Sequence, residues 1–91
     1  MSKAYAINYD LKVPNRDYEG LYKAIKQLGK WWHYIESTWL IMSDESSTQI
    51  WDKLRIHMDQ NDFMLIIEVR NDVQGWLPKE AWDWINSYVP K

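Results

Sequence analysis

Residues 3–11, Lys3-Ala4-Tyr5-Ala6-Ile7-Asn8-Tyr9-Asp10-Leu11, alternate large and small side chains without a break. A strand has a side-chain period of two, so Tyr5, Ile7, Tyr9 and Leu11 share one face and Ala4, Ala6, Asn8 and Asp10 the other. The large face asks for a core. The small face lets another layer approach closely, and it sets Asn8 and Asp10 side by side at the strand's end. A carboxylate at the tip of an apolar strand makes the following turn or supplies the acid of a small metal site.

The rest of the chain can be read against that strand. Lys12-Val13-Pro14-Asn15-Arg16 is a loop, because Pro14 disfavours helix at Val13 and asparagine suits turns. A helix follows from about Asp17, which can cap it. Its face is Tyr18, Leu21, Tyr22, Ile25 and Leu28, and Gly29 stands where a left-handed cap belongs. Lys23, Lys26 and Lys30 gather toward the end that favours cations, on a solvated face. Trp31–Ile35 and Thr38–Met42 both have strand composition, as one bent strand, a tight hairpin or a bulged strand. Ser46 with Gln49 is a capping box for a second helix, with Ile50, Trp51, Leu54, His57 and Met58 as its stripe. Phe63–Val69 is almost continuously apolar, which predicts cover on both faces. Pro78 opens a short third helix with Ala81, Trp82, Ile85 and Tyr88 on one face and Trp84 off it, and Pro90 ends it.

The order β-α-β-β-α-β plus a helix predicts an α+β fold in a single domain spanning residues 1–91. Its expected form is ferredoxin-like: a four-stranded antiparallel sheet, two helices on one face and a short C-terminal helix. Right-handed crossovers favour the strand order 4-1-3-2. The second face is then bare unless the C-terminal helix or another subunit covers it.

Composition narrows the partners. Seven tryptophans and six tyrosines in 91 residues exceed what one face of one small sheet can bury. Exposed rings of this kind mark a contact, or else form a bulky core and its rim. Eleven lysines and arginines against thirteen acids leave a net charge of −2, which speaks against bulk binding to RNA or DNA. There is no cysteine, hence no disulfide and no thiolate chemistry. No run is long enough for a membrane span and the N-terminus has no signal-like segment, so a cytoplasmic protein without a membrane partner is expected.

Asp10 is the leading candidate for chemistry. Two copies of it meeting across a symmetric homodimer could hold a hydrated magnesium ion, which takes one or two carboxylates and keeps several waters. Such an ion activates water or stabilises charge on a phosphodiester. The plainer role is a turn acceptor. Ser37 and Thr38 could position a phosphate, and turn hydrogen bonding is their alternative. Trp31, Trp32 and Trp39 could stack on unpaired bases, or pack. His33 and His57 lack a close titratable partner and read as packed or surface imidazoles; His57 with Asp59 and Asp62 fits no defined ligand set. No glycine-rich phosphate loop, zinc signature or serine nucleophile motif is present.

A strand ending Tyr9-Asp10-Leu11, a capped helix ending at Gly29 and a strand running into Ser37-Thr38-Trp39-Leu40 resemble the CRISPR-associated protein 2 family and the related virulence-associated protein D toxins. The fuller resemblance is to small bacterial proteins labelled SinR family, through Tyr9-Asp10-Leu11, Gly29 to Trp32, Ser37-Thr38-Trp39 and Asp59 to Asp62. The resemblance implies a ferredoxin-like homodimer and a metal-dependent nuclease acting on RNA or DNA through Asp10, with Tyr9, Ser37, Thr38 and Trp32 near the substrate. Three departures stand out: the acidic balance, the absence of an arginine-rich first helix, and a tryptophan-rich helix where a further strand belongs. The competing expectation is a non-catalytic module that binds a protein, an antitoxin or a host factor, through its tryptophan-rich surface.

Overall fold

The computed structural model describes residues 2–91. In chain order the elements are β1 (Lys3–Asp10), α1 (Glu19–Lys26), β2 (Trp31–Ile35), β3 (Thr38–Ser43), α2 (Ser47–Leu54), a short 3-10 turn at Arg55–His57, β4 (Phe63–Val69) and α3 (Lys79–Tyr88). One four-stranded sheet runs β2-β3-β1-β4, which read from its other edge is β4-β1-β3-β2. All its pairings are antiparallel.

The alternation of β1 builds the core. Tyr5 and Ile7 turn to α1 and α2, where they meet Leu21, Ile25, Trp39, Ile41, Ile50 and Leu54. Each aliphatic chain buried there contributes about 1.5–3 kcal/mol. α2 starts on the full capping box, Ser46 accepting from the Gln49 amide at 3.1 Å and Gln49 returning a bond to the Ser46 amide. α1 begins two residues later than the sequence suggests, although Asp17 still accepts the Glu19 amide at 2.9 Å. Gly29 has φ +157°, and a Cβ there would stand 2.1 Å from the Met42 carbonyl. Glycine is therefore required, for close approach as much as for the dihedral.

Residues 31–42 form a hairpin rather than a bent strand. β2 and β3 are joined through Glu36-Ser37, with a register irregularity between Trp32 and Ile35.

The small face of β1 admits α3. Ala4 is fully buried beneath Ile85 and Val89, with Leu40, Met42, Val69, Trp82 and Trp84 around them. The C-terminal helix thus covers part of the second face. It leaves β4 open: Phe63, Leu65 and Ile67, at 67, 59 and 45% exposure, lie on that face beside Asp10, Asn8 and Ala6. Among the described residues nothing supplies their expected cover. Trp51, expected in the stripe of α2, is likewise exposed, whereas Trp84 is half-buried.

Candidate functional site

The end of β1 opens into a cleft of about 730 Å³ lined by Tyr9, Asp10, Leu11, Arg16, Tyr18, Tyr22, Glu36 and Ser37 among others. Two segments make it. The hairpin turn lies against the end of β1, where the Tyr9 amide donates to the Ser37 carbonyl at 3.0 Å and the Tyr9 hydroxyl to the Glu36 carbonyl at 3.1 Å. The loop after β1 forms the other wall. It is held by Asp62, whose carboxylate accepts the Lys12 amide at 2.6 Å, the Asp59 amide at 2.9 Å and the Tyr18 hydroxyl at 2.8 and 2.9 Å.

These bonds set the local electrostatics. Burial works against ionisation of Asp62, but the two amides, the Tyr18 hydroxyl and the Arg16 charge outweigh it and hold the carboxyl below its ordinary value. The Tyr18 hydroxyl is raised, first by burial and then by its bond to Asp62. Tyr9 is raised too, chiefly by burial, although the bond from the Trp39 indole at 2.9 Å opposes it. Tyr9 therefore stays protonated at neutral pH and serves as a hydrogen-bonding wall rather than a base.

Asp10 stands on the cleft rim, its side chain 60% exposed, in an ion pair with Lys12 at 2.8 Å. Glu36, which the sequence does not single out, lines the same cleft. Arg16 reaches the same cleft, 3.7 Å from Asp59 and over the Tyr18 ring. The structure therefore brings Tyr9, Asp10 and Ser37 to one cleft. Thr38 does not line it; its hydroxyl donates to Asn8 Oδ1 at 3.0 Å, on the face of the sheet that Asn8 shares with Asp10.

Trp32 is absent from the cleft. It is buried under α3, with its indole N–H donating to the Ala81 carbonyl at 3.2 Å, and it presents no free ring face to a base. Trp39 is equally buried, in a stack that runs from Tyr22 through Trp39 to His33, whose ring lies 3.7 Å from Trp39. Trp31 keeps an exposed side, with Lys26 5.0 Å from its ring. His57 packs against Gly20.

Among the described residues no three His, Cys, Asp or Glu side chains form a metal-holding group. A hydrated magnesium ion asks for less, one or two carboxylates plus waters. Asp10 and Glu36 are the carboxylates that line the cleft and would be the ones to hold it, and Asp10 is paired with the exposed Lys12. Also among the described residues, no helix is long and apolar enough to cross a membrane. No protein-family model, curated protein or solved structure matches the chain.

Proposed function

We propose that this chain is a ferredoxin-like, nuclease-like protein that acts as a homodimer and cuts RNA or DNA with magnesium held at Asp10. The observation that carries the reading is the position of Asp10, exposed on the rim of the cleft at the end of β1, which Glu36 also lines. Magnesium bound there would supply charge stabilisation at a phosphodiester and a more acidic water. The chain's own residues do the rest. Ser37 and the Arg16 guanidinium offer donors to a phosphate, and Tyr9 and Tyr22 wall the cleft. The strand order β4-β1-β3-β2, the placement of α1 and α2 on one face and the Tyr9-Asp10-Leu11 strand end all suit the ferredoxin-like assignment. The test is cleavage of single-stranded RNA and duplex DNA with and without magnesium. Cleavage is expected to need the ion and to vanish in Asp10→Ala while the dimer persists. An intact protein that cuts neither would end the nuclease reading.

The second reading, a non-catalytic module that binds a protein partner, is favoured by the ion pair that occupies Asp10 and by exposed apolar residues outside the cleft lining. Trp76 is 99% exposed on the loop before α3, and Ile56 is 73% exposed. A tryptophan ring is a typical interface anchor.

A further inference from the structure

We infer that β4 pairs antiparallel with β4 of a second copy, centred on Ile66, to give one continuous sheet across the dimer. The inference rests on the homodimer in the reading above and not on its chemistry.

β4 is an edge strand, bonded to β1 on one side only. Which of its backbone groups are free follows from the alternation of the ladder. The Tyr9 amide aims at β3, where it meets Ser37, so the Asn8 amide aims at β4. Leu65, the register partner of Asn8, therefore points its amide and carbonyl inward. Met64, Ile66 and Glu68 point theirs outward. Among the described residues no hydrogen bond reaches those outward groups.

The edge carries little of the usual protection beyond the single charge of Glu68. It has no proline, no lysine and no bulge, and it is apolar at every position but one: Phe63-Met64-Leu65-Ile66-Ile67-Glu68-Val69. An unbulged, largely apolar edge of that kind finds another strand, by design or by aggregation. Apolar surface also flanks it on both sides of the sheet. Phe63, Leu65 and Ile67 are exposed on one face, and on the other a hollow of about 240 Å³ runs between β4 and exposed Trp51 of α2.

The occupant is a second copy because the strand is self-complementary in one register. A two-fold axis at Ile66 pairs all of residues 63–69. It sets Phe63 against Val69, Leu65 against Ile67 and Met64 against Glu68, and every outward amide and carbonyl finds a partner. The flanking residues then match in charge. Arg70, which makes no ion pair among the described residues, falls opposite Asp62 of the other copy. Moving the axis to Leu65 would set Asp62 against Glu68, like charges directly opposed. Moving it to Ile67 would leave Phe63 facing Asn71.

One consequence concerns Asp10, the register partner of Phe63. The two Phe63 positions would be six residues apart along the paired strands, so the acids of the two copies stand roughly 20 Å apart or more. They do not share an ion, and each cleft is served by its own chain.

The chain has no cysteine, so a single Ile66→Cys substitution gives a clean readout. Hydrogen-bonded antiparallel partners have Cα atoms about 5.5 Å apart, within disulfide reach. Mild oxidation is expected to convert Ile66→Cys to a covalent dimer. Should that variant fold poorly, a Met64→Cys/Glu68→Cys double variant tests the same register. Leu65→Lys, at an exposed position, is expected to shift the solution mass from two chains to one with an unchanged circular dichroism spectrum. A wild-type mass of two chains without either cross-link would overturn the edge pairing and leave the dimer standing. A mass of one chain would remove both. The Asp10→Ala cleavage assay reads the chemistry independently of either outcome.

Discussion

The Tyr18 hydroxyl lies 2.8 and 2.9 Å from the two oxygens of the Asp62 carboxylate, and through that contact the loop after β1 is tied to the turn before β4. The same carboxylate takes the amides of Lys12 and Asp59, so one side chain closes three backbone or hydroxyl donors at once. Asp62→Ala leaves those donors without their acceptor. A loss of about 1–3 kcal/mol is expected in denaturant unfolding, with faster proteolysis in the loop of residues 12–17. Tyr18→Phe, which removes one donor only, should cost less.

Acid should act on the same contact. Asp62 has a folded-state value held below the ordinary carboxylate range, so its contribution is complete above the unfolded value of about 3.9 and fades as pH falls through the lower, folded value. A pH titration of thermal stability in wild type and Asp62→Asn is therefore expected to converge at the acid end and diverge above it. Curves that stay parallel down the whole acid range would argue against this role.

Gly29→Ala tests the close approach between the end of α1 and β3. A methyl group 2.1 Å from the Met42 carbonyl forces the backbone apart, at a dihedral that already strains any other residue. A destabilisation on the order of 3 kcal/mol is expected. The adjacent bond from the Met42 amide to the Lys30 carbonyl, 2.9 Å in the wild type, should exchange its hydrogen faster in the variant.

Trp32 can be split into its two contributions. Trp32→Phe keeps most of the packing under α3 and loses the bond to the Ala81 carbonyl, for about 1 kcal/mol. Trp32→Ala opens a cavity and should cost about 3–5 kcal/mol, with loss of helical signal from α3. Neither substitution is expected to weaken RNA or DNA binding beyond its effect on folding.

Lys12 bears on the proposed chemistry. The Lys12–Asp10 pair is exposed, and pairs of that kind are worth no more than about 1 kcal/mol. Lys12→Gln should therefore raise magnesium-dependent cleavage by at most about fivefold at limiting magnesium. A fall in activity would mean instead that the ammonium contacts the substrate.

What the sequence made legible follows from which residues carry a distinctive pattern. β1 could be read face by face because its two faces differ in size, and α2 because Ser46 and Gln49 form a reciprocal cap. The hairpin could not, since Ile35, Thr38 and Trp39 are all strand formers and Glu36-Ser37 lacks the glycine or asparagine of a marked turn. Trp32 was open between stacking and packing for the same reason: in a run of adjacent tryptophans, only the register decides which ring goes under a helix and which stays outside. β4 shows another limit. A strand that is apolar on both sides looks the same whether its cover is part of the same chain or another one. Glu36 was missed because it reaches the cleft only through the fold, which lays the hairpin turn against the end of β1.

α3 roofs β3 and the start of β1 and reaches β4 only at Val69, so the sheet is covered on both faces along one side and on one face alone along most of the other. Amide hydrogens in β3 should then outlast those in β4 by a wide margin in dilute solution. Raising the protein concentration should slow β4 alone if another chain closes over it. The protection of one strand would thus become a gauge of how crowded the molecule is with its own kind.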